Sequence, residues 1–245
     1  MQKIHAETLR LVTRDCDLFG HWRPGAILEA MQEAAGAHAG LLGVGRDHLL
    51  EQNIVWVLSR ADIRMDRYPA MGERVTVETF PHPCLRLFFP RYFVFRDEAG
   101  AVLGVAGTLW ALVDCNTRRA VAAPAVAARL PDNADLTAPL PLPRAVPRVK
   151  GRERLFHRTA AYTELDVNGH VNNARYADWL MDALGLPVLE RKALATLHLR
   201  FSAEILPEER LDMRLLLSDE ACYLSGSLDG RTRFEAGGSL RPREA

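Results

Sequence analysis

Three side chains with chemical capacity stand at alternate positions in the string L-D-V-N-G-H, which begins at Leu165. They are the carboxylate of Asp166, the amide of Asn168 and the imidazole of His170. If this segment is extended, alternate side chains lie on one side of it, so the three groups should converge. A predicted helix follows, and the unpaired N–H groups at a helix N-terminus favour the negative charge of a polarised carbonyl oxygen. An acyl-transfer site needs such a helix N-terminus.

One main helix is predicted directly after these residues. Asn172 or Asn173 can cap A-R-Y-A-D-W-L-M-D-A-L, and Gly185 and Pro187 would end the helix. A similar helix is predicted earlier in the chain, because Pro24 suits the first helical position before A-I-L-E-A-M-Q-E-A-A-G. Each half of the chain therefore has one main helix.

Alternating apolar and polar residues predict a strand from Ile4 to Val12, near the start of the sequence. Longer segments of the same kind follow each helix, with turn residues between them. They are Ile54–Met65, Arg74–Phe80, Leu87–Arg96 and Val102–Asp114 in the first half, and Leu194–Phe201, Arg210–Leu217, Ala221–Leu228 and Thr232–Leu240 in the second. A helix beside a long antiparallel sheet, present twice, predicts an α+β fold.

The two halves also match residue by residue, which indicates an internal duplication. Before the helices, a constant offset of 149 aligns Asp15, Asp17, Gly20 and His21 with Glu164, Asp166, Gly169 and His170. Further along the chain, residues 64–75 match residues 200–211 at an offset of 136. The first half therefore has 13 extra residues, which we place near positions 41–53.

A shift in composition separates the two halves. Six of the fourteen prolines lie between Pro124 and Lys150, among alanines and leucines that show no helical or strand period. We interpret residues 124–150 as a linker. The predicted domains are thus residues 1–123 and residues 151–245, on either side of it.

The duplication serves as an internal control for the candidate residues. Asn168 corresponds to Phe19 and Glu204 corresponds to Tyr68, so neither group has a chemically similar counterpart in the first half. The matched aspartate and histidine of the first half persist, and we interpret them as structural remnants rather than a second site. Only the second half is equipped for chemistry.

Several motifs point to one family. The second half contains L-D-V-N-G-H-V-N-N-A-R-Y, with Glu204 in F-S-A-E-I-L-P, and the first contains I-V-W-V-L-S-R, D-R-Y-P-A-M-G-E and T-L-W-A-L-V-D. From about Thr13 to Leu217, the chain resembles the acyl-acyl-carrier-protein (acyl-ACP) thioesterase family of plants and bacteria. The resemblance implies two tandem hotdog folds, each with a long helix wrapped by an antiparallel sheet. It also implies that the first half shapes the acyl pocket.

The resemblance implies hydrolysis of a fatty acyl thioester on ACP to free fatty acid and carrier thiol, without a metal or an organic cofactor. It assigns Asn168 and His170 to the thioester and its oxyanion, and Glu204 to water as general base. Asp166 would orient the amide or attack directly, and both roles stay open. Many family members have a cysteine after the glutamate, but Ile205 stands here, so carboxylate-assisted water attack is the surviving mechanism.

Composition limits the partners and the location. Basic and acidic residues number 31 each, so the net charge gives no support to nucleic-acid binding. No apolar run approaches the roughly 18 residues of a membrane-spanning helix. The four cysteines form no C-x-x-C pair, and no signal sequence precedes the first strand. We therefore expect a cytoplasmic protein without a membrane anchor.

The expected partner is an ACP that bears a fatty acyl chain. A basic string could meet the acidic face of such a carrier, and its alternative interpretation is a solvated linker. The string consists of Arg144, Arg148, Lys150, Arg152 and Arg154.

Other functions remain open at this point. An acyl-coenzyme A thioesterase would use the same fold and chemistry and differ only in its carrier. A noncatalytic acyl-binding protein is disfavoured because Asn168 and Glu204 are both present. A hydratase of related fold fits less well, because its histidine and acidic partner would be arranged for β-hydroxyacyl chemistry. The substrate-binding residues, the acyl-chain length and saturation, and the choice between monomer and homodimer are not decided.

Overall fold

The computed structural model describes residues 2–243, which form two compact units. The first unit contains residues 2–59 and 65–143, and the second contains residues 60–64 and 144–243. Each unit has one main helix and an antiparallel sheet. None of the helices in the described range is long and apolar enough to cross a membrane.

The first unit is built from five strands and three helices. The strands are β1 (His5–Arg10), β2 (Ile54–Met65), β3 (Arg74–Pro81), β4 (Phe88–Arg96) and β5 (Val102–Asp114). Strands β1, β3, β4 and β5 pair antiparallel in that order, and β2 follows β5 in the sheet. The helices are α1 (Pro24–Leu41), α2 (Arg46–Leu50) and α3 (Pro124–Ala127).

Helix α1 forms the core of the first unit. It begins at Pro24, whose missing N–H is not needed in the first helical turn. Its side chains Ile27, Leu28 and Met31 are buried, and each buried side chain of this size contributes about 1.5–3 kcal/mol to stability. Trp22, just before the helix, is also buried and packs edge-on against Phe95 of β4 at 5.5 Å between ring centroids. The helix is therefore held by apolar contact along its length.

A polar group lies inside this core. Arg91 of β4 is almost fully buried, and it donates to His38 Nδ1 (3.1 Å) and to Thr79 Oγ1 (3.2 Å). His38 Nε2 lies 3.1 Å from the carbonyl oxygen of Gln2, so the ring is neutral, with its hydrogen on Nε2. Burial, and then the charge of Arg91, lowers the pKa of His38 to about 4. The ring of His5 stacks on that of His38 at 5.6 Å.

The second unit repeats the plan with a shorter helix. The helices are α4 (Arg175–Leu184) and α5 (Leu186–Leu189). The strands are β6 (Arg152–Thr159), β7 (Lys192–Leu194), β8 (Thr196–Phe201), β9 (Arg210–Leu217), β10 (Ala221–Leu228) and β11 (Arg231–Pro242). Residues Arg60–Arg64 of β2 pair antiparallel with β8, and the strand order continues through β11, β10 and β9 to β6. Strand β7 also pairs with β11.

Most predicted elements agree with the structure, and two differ. Helix α1 runs to Leu41, five residues beyond the predicted end, since its last turn is still packed on the core. The single strand predicted over Leu194–Phe201 is wrong, because Ala195 divides it into β7 and β8. At this break the carbonyl oxygen of Thr196 approaches Gly238 so closely that a Cβ there would lie 1.8 Å from it. Only glycine leaves that space.

The proline-rich segment contains little regular structure after α3. Its residues up to Pro143 cluster with the first unit, where the buried Asn133 side chain donates to Pro81 O at 2.9 Å. From Arg144 the chain clusters with the second unit, where Val146 is buried and faces Gly237 of β11.

Candidate active site

Residues 165–171 form a tight turn before helix α4. The N–H of Asp166 donates to the carbonyl of His170 (2.9 Å), and the N–H of Gly169 donates to the carbonyl of Asp166 (3.0 Å). Gly169 has a φ of 79°, a left-handed conformation that glycine adopts without strain. The prediction of an extended segment at these residues is therefore wrong. Side chains at alternate positions of a turn do not all share one side.

Asp166 holds this turn and faces the imidazole. Its Oδ1 atom accepts the N–H of Asn168 at 2.8 Å, and its Oδ2 atom lies 3.7 Å from His170 Nδ1. The side chain is largely enclosed, so these contacts are screened little by water. One carboxylate thus fixes both the backbone of the loop and the surroundings of the histidine.

The second carboxylate comes from the segment after β8. The N–H of Val171 donates to the carbonyl of Ile205 at 2.9 Å, which ties the turn to the residue after Glu204. Glu204 Oε1 lies 3.9 Å from His170 Nε2, and the glutamate side chain remains 39% exposed. The imidazole of His170 therefore stands between two carboxylates, one enclosed and one open to an incoming molecule.

The orientation of the imidazole follows from its backbone contact. His170 Nδ1 lies 3.2 Å from the carbonyl oxygen of Val171, which accepts a hydrogen bond when the ring carries its hydrogen on Nδ1. In that tautomer the other nitrogen, on the side of Glu204, is available to a substrate or to water.

The fourth predicted residue is placed differently. The Asn168 side chain is exposed and makes no hydrogen bond to any of residues 2–243, although its backbone N–H is bound by Asp166. Its neighbour Val167, at the tip of the turn, is 88% exposed. The structure brings Asp166, His170 and Glu204 together, while the contact predicted for the Asn168 amide stays a prediction.

Sequence reasoning missed Arg233 of β11. Its Nη1 donates to the carbonyl of Glu204 at 3.5 Å, and its Nη2 lies 3.5 Å from Glu209 Oε1. Glu209 in turn accepts the N–H of Leu206 at 2.9 Å. Arg233 therefore braces the segment that carries Glu204. No local pattern could reveal it, because the arginine comes from a strand that is remote in sequence.

Sequence reasoning also left Tyr176 unassigned, although it ends the quoted motif. This residue of α4 is 3% exposed, and its ring packs on Phe201 and Phe234, with centroids at 5.3 and 4.7 Å. Burial raises the pKa of Tyr176 far above its usual range, and the charges of Asp166 and Glu204 raise it further. The hydroxyl keeps its proton and can act as a donor.

The turn before α1 in the first unit has the same hydrogen bonds. Asp17 N–H donates to His21 O (2.8 Å), Asp17 Oδ1 accepts the N–H of Phe19 (3.0 Å), and Trp22 N–H donates to Pro69 O (2.9 Å). The backbone has therefore been kept in both copies of the duplication.

The chemistry of that turn differs from its counterpart. Phe19 and Tyr68 occupy the positions of Asn168 and Glu204, and the Nδ1 atom of His21 is sealed from solvent without a partner. The first unit thus keeps the loop without the second carboxylate. Within residues 2–243 no group of three His, Cys, Asp or Glu side chains is arranged to hold a metal ion.

A helix packed on an antiparallel sheet, once in each of two units, defines a tandem hotdog protein with its polar site in the second unit. The chain belongs to the acyl-ACP thioesterase family. Residues 2–127 match the acyl-ACP thioesterase N-terminal domain, and residues 152–225 match the acyl-ACP thioesterase C-terminal domain. The family predicted from the motifs is confirmed.

Curated relatives agree with this assignment. The chain is 29% identical over 206 residues to the chloroplastic palmitoyl-acyl carrier protein thioesterase of Gossypium hirsutum. The matched region covers 79% of this chain and 50% of the relative. It is 28% identical over 200 residues to the chloroplastic dodecanoyl-[acyl-carrier-protein] hydrolase of Umbellularia californica, covering 73% and 50%. The chain spans about half the length of the curated relatives it matches.

Solved structures show the same fold. An acyl-ACP thioesterase from Bacteroides thetaiotaomicron matches with a TM-score of 0.88 at 24% identity, over 97% of this chain and 98% of that one. The 12:0-ACP thioesterase from Umbellularia californica matches with a TM-score of 0.83 at 21% identity, over 98% and 94%. The prediction of two tandem hotdog folds is confirmed.

Proposed function

We propose that this chain hydrolyses fatty acyl-ACP thioesters to free fatty acid and carrier thiol. The observation that carries the proposal is the placement of His170 between the carboxylates of Asp166 and Glu204 in the second unit. In the first unit Tyr68 takes the place of the glutamate. Family membership and relatives that are named as acyl-ACP hydrolases support the same reaction.

In the proposed reaction, Glu204 removes a proton from water as the oxygen of that water bonds to the thioester carbonyl carbon. The carbonyl oxygen becomes an oxyanion, which accepts a hydrogen bond from the Asn168 amide, while His170 Nε2 accepts a hydrogen bond from the attacking water and holds it beside Glu204. When the oxyanion collapses, the carbon–sulfur bond breaks, and the carrier thiolate takes the proton from Glu204. The products are a fatty acid and a thiol, and the glutamate is ready for another cycle. The partial exposure of Glu204 suits a residue that must meet water.

The contacts of Asp166 support an orienting role over direct attack. One of its oxygens is held by the N–H of Asn168, and the other faces the imidazole at 3.7 Å. A carboxylate fixed in this way positions its neighbours better than it attacks a carbonyl carbon. Ile205 is buried directly after Glu204, so no thiol stands at that position.

The choice of ACP as carrier rests on the family and on local charge. All five residues of the basic string are exposed on the second unit, where an acidic carrier could approach them. Positive charge at a docking surface speeds encounter with an acidic partner. The cytoplasmic location and the choice between monomer and homodimer stay predictions.

Release of thiol and fatty acid from matched series of acyl-ACP and acyl-coenzyme A substrates tests this proposal. We expect hydrolysis of both series, with the higher kcat/KM on acyl-ACP. A preference for coenzyme A would assign the chain to acyl-coenzyme A thioesterases. The absence of hydrolysis from either carrier would contradict the proposal and favour a noncatalytic acyl-binding protein.

A further inference from the structure

Tyr176 combines burial with an unused hydrogen-bond donor. Its hydroxyl makes no hydrogen bond to any of residues 2–243. Among these residues, six side-chain polar atoms are sealed from solvent without a partner, and the Tyr176 oxygen is not one of them. The side chain is 3% exposed, so the small accessible part includes the hydroxyl. The hydroxyl can therefore bond to water or to a bound molecule, although it bonds to no group of the described protein.

The ring of Tyr176 is fixed by aromatic contacts from three elements. It packs on Trp179 of the same helix at 5.3 Å, on Phe201 at the end of β8 and on Phe234 of β11. Phe201 lies just before the segment that carries Glu204, and Phe234 follows Arg233, which braces that segment. A ring held on several sides keeps its hydroxyl in one place, as a preorganised donor requires.

Burial raises the pKa of Tyr176 most, the carboxylates of Asp166, Glu204 and Glu209 raise it further, and the cation of Arg233 lowers it. These surroundings disfavour a phenolate, so the hydroxyl keeps its hydrogen and can donate it. No protein acceptor takes this hydrogen in the structure.

The duplication provides independent support. At the offset of 149 that aligns the two turns, Tyr176 corresponds to Ile27, which is buried in α1. The first unit has therefore replaced this hydroxyl by an apolar side chain, together with Asn168 and Glu204. If Tyr176 only filled the core, there would be no reason for its hydroxyl to be absent from the same unit that lacks the counterparts of Asn168 and Glu204.

We propose that the Tyr176 hydroxyl is a further catalytic residue, which donates a hydrogen bond to the thioester carbonyl oxygen as it becomes an oxyanion. The inference rests on the proposed hydrolysis. Because the charge on the oxygen grows in the transition state, the bond strengthens there and raises kcat more than it lowers KM. The acceptor missing from the protein is then supplied by the substrate.

The test is Tyr176→Phe, which removes only the oxygen. We expect kcat on acyl-ACP to fall about 100-fold, as is typical for loss of one oxyanion donor, with KM little changed. Thermal unfolding should be unchanged, since no bond within the protein is lost. The matched control is Tyr223→Phe, because Tyr223 is also buried in the second unit but donates to Glu235 at 2.7 Å. That variant should lose stability and keep its kcat.

A pH profile separates catalysis from positioning. An oxyanion donor lowers kcat at every pH and leaves both limbs of the profile in place. If Tyr176→Phe instead moves the acidic limb, the hydroxyl acts through a neighbouring carboxylate and the inference is wrong. Unchanged kcat in this variant, with an active parent enzyme, also overturns it without affecting the proposed function. An inactive parent enzyme would overturn both.

Discussion

Nε2 of His170 lies 3.9 Å from Oε1 of Glu204, although the two residues come from different segments of the second unit. The contact depends on the backbone hydrogen bond from the N–H of Val171 to the carbonyl of Ile205, which holds the turn before α4 against the segment after β8. The proposed chemistry therefore depends on contact between two segments that are distant in sequence, and not on a single sequence motif.

We expect Glu204→Gln to lower kcat on acyl-ACP by roughly two to four orders of magnitude, because the amide cannot accept a proton from water. The amide has nearly the same shape, so the unfolding temperature should stay close to that of the parent. Single-turnover hydrolysis and thermal unfolding would measure the two effects. Turnover near the parent value would remove Glu204 from the mechanism.

Asp166→Asn and Asp17→Asn form a matched pair. Asp166 accepts one backbone N–H in its turn at 2.8 Å, and Asp17 accepts two in its own turn at 3.0 Å, so both variants weaken loop contacts, by about 1 kcal/mol or more. Only Asp166 faces an imidazole with a second carboxylate beyond it. We therefore expect a large fall in kcat from Asp166→Asn alone. Equal falls in both variants would mean that the aspartates act only through folding.

The buried His38 should make stability depend on pH. Its pKa is lowered from 6.5 to about 4 in the folded protein, so the unfolded chain binds the proton more tightly. The contribution is complete above pH 6.5 and is lost as the pH falls through 4, for a loss of about 2–3 kcal/mol at pH 4.5. Urea unfolding at pH 7 and 4.5 would measure this.

His38→Gln should reduce that difference between the two pH values. His48→Gln, at a histidine that is 41% exposed, should leave it as in the parent. If His38→Gln retained the full difference, the acid-sensitive group would be another residue.

Charge reversal at Arg144, Arg148 and Lys150 should raise KM for acyl-ACP about tenfold at low salt, because an acidic carrier would lose favourable encounter. The effect should shrink with added salt. Acyl-coenzyme A provides the comparison, since its hydrolysis should change less. Equal changes for both carriers would mean that the basic string responds to any anionic carrier and does not select ACP.

Sequence patterning predicted the sheet better than it predicted the site. Strands β2 and β5 were predicted to the residue, because each is a long, largely apolar run bounded by turn residues. Alternate polar residues fit a strand and a loop equally well, so the pattern around Asp166 predicts an extended segment where the structure has a turn. Gly169 was the available signal, because its match to Gly20 marks a position that can take positive φ in both halves.

Arg233 and the partners of Tyr176 could not be predicted, because their contacts depend on which strands lie side by side. Strand order in a sheet is a property of tertiary structure, and no local period encodes it. Comparison of the two halves distinguishes the residues that hold the loop from the proposed reactive residues, which periodicity does not do. The difference between Tyr176 and Ile27 in the matched helices could be interpreted only from the structure, because it depends on the burial of both side chains.

The hydrogen bonds shared by the turns at Asp17 and Asp166 separate the framework of the loop from its reactive side chains. The first unit has the same backbone hydrogen bonds without the reactive side chains, so it is a suitable recipient for those side chains. Replacing Phe19, Ile27 and Tyr68 by asparagine, tyrosine and glutamate, the residue types of their second-unit counterparts, would require little change in the backbone, because both turns have the same hydrogen bonds. A duplicated unit without reactive side chains can therefore acquire a new reaction by substitution of a few residues.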